Sequence, residues 1–181
     1  MNLEGVQRST GIKSNTKFQI QSRMGGGRVL YVAEHMGGGQ YRMKIRQAKN
    51  DNREFFYYNA ASGVLESALN RHYAIAVQKG KNTRGALLVL RPRDRTNTQV
   101  WSYRINSYHN WSPFSNKGLC IDVAGGKNVN GQPVLMWSCH NGVNQRFEVK
   151  YNSAAVASKQ KSTGVKANTK FMIQSRMGGG R

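Results

Sequence analysis

The sequence predicts an all-β protein built from three similar units of about 46 residues, and three observations lead there. Short apolar or alternating runs, "FQIQ" (18–21), "VLYVA" (29–33), "YAIAV" (73–77), "ALLVLR" (86–91), "LCIDV" (119–123) and "PVLMW" (133–137), are set apart by Gly and Asn, as short strands joined by turns are. Apolar spacing at the helical period is absent over any long stretch. Finally, "NREFFYY" (52–58), "TQVWSY" (98–103) and "NQRFEV" (144–149) align so that Phe55, Trp101 and Phe147 recur at intervals of 46 residues.

The same offset pairs Gln99 with Gln145, Val89 with Leu135, Ala76 with Asp122 and "RGALLVL" with "NGQPVLM". A four-stranded unit of this size cannot cover its own apolar face, whereas three of them close into a sheet without free edges. The expectation is therefore a β-trefoil over about residues 12–150. The "GGG" runs at 25–27, 37–39 and 178–180 read as hairpin turns. The stretch 63–78 reads as a connection that could hold a turn of helix.

One further repetition lies outside this scheme. Residues 162–181, "STGVKANTKFMIQSRMGGGR", match residues 9–28 at 17 of 20 positions, 153 residues apart. The chain accordingly divides into a leader (1–8), the trefoil (9–150), a linker poor in large apolar residues (151–161) and a duplicate of the first strand region (162–181). That duplicate reads as the start of a next module in a tandem array. It could also compete for the first strand's place, within the molecule or by exchange into a neighbour.

Lys and Arg outnumber Asp and Glu by 28 to 8, for a net charge of +20, so the expected partner is anionic. The densest cationic blocks are "YRMKIRQAK" (41–49), "KGKNTR" (79–84) and "RPRDR" (91–95). Lys79, Lys81, Arg84, Arg91, Arg93 and Arg95 are the candidate anion-binding residues, for sulfate or phosphate. No nucleic-acid-binding motif accompanies them. No apolar run approaches the roughly 18–20 residues that span a bilayer, and residues 1–8 carry no apolar signal core. Nucleophile-elbow, zinc-protease and phosphate-loop patterns are absent, and the four histidines have no paired acid at a suggestive spacing. No enzyme, cofactor or metal is expected.

Chemistry concentrates in "GLCIDVAGGKNVNGQPVLMWSCHNGVNQRFEV" (118–149). Its Cys-x-Asp step, Asn-Gly turn, aromatic just before the second Cys and Asn-Gln-x-aromatic ending resemble one repeat of the ricin B-type lectins. The resemblance implies a disulfide between Cys120 and Cys139, the only cysteines; two reduced, buried thiols are the alternative. A bridge closing such a loop would contribute about 3 kcal/mol and place the protein in an oxidising, extracellular compartment. Asn110-Trp111-Ser112 also matches the glycosylation acceptor pattern.

A neutral sugar needs a carboxylate or amide to bridge its hydroxyls and an aromatic plate for its C–H face. By resemblance, Asp122 would accept from two hydroxyls, Trp137 would stack on the ring, and Asn144 would donate to a hydroxyl shared with Asp122. Gln145 would orient Asp122 or complete the pocket, and His140 could reach its rim. For Gln145 and Phe147 a purely core role is the competing reading. Leu135 departs from the family, which often carries Gln there. In the other units Asp122 becomes Ala76 and about Leu30, and Trp137 becomes Arg91 and Ile45, so a single sugar site is expected. The sequence thus reads as a secreted lectin module for galactose-type or sulfated glycans. The alternative is a structural or adhesive repeat that binds an anionic matrix, mineral or nucleic acid.

Overall fold

In the computed structural model, residues 11–151 are described; the leader, nearly all of the linker and the duplicate 162–181 lie outside the described residues. Twelve strands run through them: β1 (Phe18–Ser22), β2 (Arg28–Gly37), β3 (Gln40–Gln47), β4 (Phe55–Asn59), β5 (Val64–Ser67), β6 (Tyr73–Val77), β7 (Leu88–Pro92), β8 (Trp111–Ser112), β9 (Ser115–Asn116), β10 (Leu119–Val123), β11 (Gln132–Ser138) and β12 (Phe147–Tyr151). Each apolar run named above lies on a strand. The stretch 63–78, read as a connection, instead holds β5 and β6, because its central "ALNRH" (68–72) makes only a turn between two strands.

β1 lies between β12 and β4, and β4 continues to β5. The ring closes through the bridges Val64↔Val100 and Ser102↔Ser115 and through β8 on β12. Three hairpins, β2–β3, β6–β7 and β10–β11, cap one end. They pair with one another by β3 on β7, β11 on β3 and the bridge Leu87↔Leu135. The inner edges of the three caps thus cover one another.

The hairpin registers fix the internal symmetry. Leu30 faces Ile45, Ile75 faces Leu90 and Ile121 faces Met136, all six buried. The second and third units are therefore offset by 46 residues, as the sequence shows, but the first and second by 45. Phe56, not Phe55, is thus the counterpart of Trp101 and Phe147, and it is the fully buried one of the two. The first-unit counterparts of Asp122 and Trp137 likewise move from Leu30 and Ile45 to Tyr31 and Arg46. An identity match at one aromatic misplaces the unit by a residue because Phe55 and Phe56 are adjacent; only the pairing parity separates them.

The core is the interior of the ring and its caps, where Phe18, Phe56, Trp101, Tyr103, Phe114 and Phe147 meet the apolar faces of the three hairpins. Trp101 donates its indole N–H to the Ile75 carbonyl at 3.0 Å, which satisfies the one polar atom of a fully buried ring. No helix among the described residues is long and apolar enough to cross a membrane.

Candidate carbohydrate site

The site is assembled from β10, β11 and the loop that follows. Cys120 and Trp137 face each other across the hairpin, as do Asp122 and Leu135. Strand alternation turns Ile121 and Val123 into the core, so Asp122 emerges on the opposite face. A disulfide joins Cys120 to Cys139 and ties the start of the hairpin to the chain leaving it. That chain then turns back: Gly142 opens a 3-10 turn, Val143–Gln145, which brings Asn144 and Gln145 against β10.

Gln145 is the hub of this turn. Fully buried, it accepts the His140 backbone N–H on Oε1 at 2.9 Å. Its Nε2 donates to the Ser138 carbonyl at 2.9 Å and to Oδ2 of Asp122 at 2.8 Å. Asn144 donates to the other carboxylate oxygen, Oδ1, at 3.0 Å. His140 stands third, with Nε2 3.3 Å from Oδ2. Because the Gly142 N–H donates to Nδ1 of the same ring at 3.0 Å, the ring proton belongs on Nε2, and His140 donates to Asp122.

Asp122 is only 4% exposed, and its carboxylate offers about four lone-pair sites, of which these three donors occupy three. One site on Oδ1 stays open. A second hydroxyl, as the sequence reading expects, can be accepted only where the long bond from His140 gives way. Trp137 is 43% exposed, an unusual posture for an indole. With Gly125, Gly126 and Leu135 these residues line a cleft of about 370 Å³. Gln132 braces its floor by donating to the Ala124 carbonyl at 2.7 Å. The arrangement offers a fixed acceptor, a neighbouring amide and an uncovered aromatic face. The sequence reading therefore brought together every residue it named for this site.

It missed Gly142 and the pair Gly125–Gly126. At Gly142 the backbone is ordinary, but a Cβ there would stand 2.6 Å from the His140 ring and 2.9 Å from Oδ1 of Asn144. The glycine is needed for space, which no spacing pattern in one sequence reveals.

The other two units keep the frame and change the contents. Gln99 repeats the hub, accepting the Asp94 N–H at 3.0 Å and donating to the Pro92 carbonyl at 2.8 Å. Ala76, Arg91, Asp94 and Thr98 replace Asp122, Trp137, His140 and Asn144. In the first unit the hub is Glu54, which accepts the Lys49 N–H at 2.9 Å. Its carboxylate also holds Arg46, at 2.9 Å, and Arg46 lies 4.4 Å over the Tyr31 ring. Tyr31 and Arg46, the counterparts of Asp122 and Trp137, thus stack on each other.

The six candidate anion-binding residues separate. Arg93 is paired with the buried Glu66 at 2.7 Å, and Arg91 is paired with Asp94. Lys79, Lys81, Arg84 and Arg95 have no ion pair among the described residues. Asn110 of the acceptor sequence donates to Glu148 at 2.7 Å, and Ser112 is buried in β8. No three His, Cys, Asp or Glu come together among the described residues.

A threefold arrangement of strands capped by three mutually paired hairpins defines a class, the β-trefoils. The chain belongs to the ricin-type beta-trefoil lectin domain family, whose model matches residues 16–147 and, one unit later, 61–174. Among solved structures it is similar to the designed threefold symmetric protein ThreeFoil (15% identity, TM-score 0.68, covering 75% of this chain and 99% of that one). It is also similar to the C-half of the earthworm R-type lectin in complex with GalNAc (18%, 0.59, 76% and 99%). The ricin B-like lectin of Macrolepiota procera in complex with lactose is a third (16%, 0.64, 78% and 99%). No curated protein sequence matches the chain.

Proposed function

We propose that the chain is a secreted carbohydrate-binding module with one neutral-sugar pocket, in the third unit. Asp122 accepts from the sugar's hydroxyls, Asn144 donates to the same hydroxyl edge, Trp137 covers the ring's C–H face and Gln145 fixes the carboxylate's aim. The observation that carries the reading is the Asp122 carboxylate, held from below by Gln145 and from the side by Asn144, next to an uncovered indole. A galactose-type sugar is the first ligand to try, since the earthworm and Macrolepiota lectins are in complex with GalNAc and lactose.

A shallow cleft of this kind binds in the millimolar to micromolar range, so useful avidity requires several modules. The near-copy of residues 9–28 at 162–181 supports a parent with repeated modules. The net charge of +20 supports the alternative reading, adhesion to an anionic matrix, mineral or nucleic acid.

A glycan array of the wild type, Asp122→Ala and Trp137→Ala, repeated in rising salt, tests both. Binding that depends on the two residues and persists in salt supports the pocket; binding that survives both substitutions overturns it. Binding that vanishes as the screening length falls below about 10 Å, its value at 0.1 M, supports the ionic alternative.

A further inference from the structure

We propose that the second unit carries a separate site for a sugar-borne oxyanion, a sulfate ester or a carboxylate, at the place where the third unit holds its neutral-sugar cleft. This rests on the reading of the chain as a glycan binder and assigns the second unit a ligand of opposite character.

The frame is the same in both. The 3-10 turn Gln78–Gly80 corresponds to Ala124–Gly126, with Lys79 in the left-handed region (φ 56°) where Gly125 stands (φ 62°). Gln99 fastens the Asp94–Thr98 turn as Gln145 fastens His140–Asn144. A cavity of about 270 Å³ remains, lined by Gln40, Lys79, Gly80, Arg91, Asp94, Thr96 and Thr98.

Its chemistry is inverted. The carboxylate of the third unit is replaced by the buried Ala76, so the acceptor proposed there for vicinal hydroxyls has no counterpart at this position. The indole is replaced by Arg91, whose guanidinium is held in one posture by Asp94 and by Thr98 at 2.8 Å and Thr96 at 3.3 Å. Its Nε is buried without a hydrogen-bond partner. The small Gly125 is replaced by Lys79, which has neither ion pair nor hydrogen bond among the described residues and lines the same cavity. The one carboxylate present, Asp94, is occupied by Arg91 and by the Thr96 N–H and hydroxyl. The third unit's cleft thus presents a lone carboxylate and the second unit's an excess of cation with two hydroxyls, the groups that recognise a tetrahedral or planar oxyanion. A lysine on a left-handed backbone costs more than the glycine it replaces, and its charge at that spot accounts for its use.

Amide NMR of the full chain at fixed ionic strength tests this, with methyl galactoside, galactose 6-sulfate and galacturonic acid as probes. Galactose 6-sulfate is expected to shift the amides of residues 76–80 and 94–98. Lys79→Gly, which restores the third unit's residue and leaves the backbone unstrained, is expected to weaken that binding at least fivefold. Methyl galactoside is expected to move only residues 122–126 and 137–145. Shifts at the second unit by galacturonic acid as well as the sulfate support a general oxyanion site; shifts by the sulfate alone support a sulfate site. The proposal is overturned if the sulfated sugar moves only third-unit amides, if Lys79→Gly leaves its affinity unchanged, or if a short oligonucleotide displaces it from the second unit at equal concentration. Should methyl galactoside move nothing while the sulfate moves the second unit, the third-unit pocket fails and this site stands.

Discussion

Gln145 donates to Oδ2 of Asp122 at 2.8 Å from a position with no solvent exposure of its own. The residue that holds the Asp122 carboxylate is therefore itself part of the core. Gln145→Glu places a carboxylate against Asp122 and removes the donor to the Ser138 carbonyl. It is expected to cost about 1–3 kcal/mol of stability, read by thermal unfolding, and to lower sugar affinity at least tenfold by calorimetry. Equal affinity would leave Gln145 a purely structural residue.

Trp137 makes the opposite case, since its ring is 43% exposed. Trp137→Ala is expected to shift stability by no more than about 0.5 kcal/mol while weakening sugar binding about tenfold, on the order of 1 kcal/mol for a lost stacking partner. A large fall in thermal stability would show that the indole serves packing.

Gly142→Ala tests the space argument. A Cβ 2.6 Å from the His140 ring must push that ring off Asp122, because the surrounding turn is tied down by Gln145. The expected result is an intact fold, by circular dichroism, with sugar affinity changed severalfold. The same affinity change from His140→Ala would assign the effect to the ring.

The disulfide closes the third hairpin, and its removal in Cys120→Ala/Cys139→Ala frees a loop whose entropy is worth about 3 kcal/mol in the unfolded chain. A corresponding loss in denaturant unfolding is expected, with Asp122 and Gln145 still paired in the folded protein.

Acid should weaken the turn that Asp94 holds in the second unit. Burial works to raise the Asp94 carboxyl, but hydrogen bonds from Thr96 and Arg91 outweigh it and hold it below the usual carboxylate range. A depressed folded value stabilises above the unfolded one, near 3.9, and that contribution is lost as pH falls below it. Asp94 is partly exposed, so the effect is modest. The Asp94→Asn variant is expected to show a flatter stability profile below about pH 4.

Residues 162–181 repeat the sequence of residues 9–28, which includes β1, the strand between β12 and β4. We propose that this copy exchanges for β1; concentration-dependent association of the full chain that is lost on deleting 162–181 is the expected result in sedimentation, and an unchanged oligomeric state excludes the exchange.

What the sequence determined by itself is the alternation, the turns and the recurrence of aromatic and Gln positions, because strand pleat and turn chemistry act over a few residues. These sufficed for the trefoil and for naming Asp122, Trp137, His140, Asn144 and Gln145, which the third hairpin and the turn after it bring together. The first unit's alignment did not follow, since Phe55 and Phe56 are neighbours and only the pairing Leu30↔Ile45 sets their parity. Nor did the different contents of the three units. In the first unit Glu54 holds Arg46 against Tyr31. In the second Asp94 and Thr98 hold Arg91 aside. Contacts between residues far apart in register decide where each cation is held, and only the closed threefold arrangement of hairpins brings those contacts about.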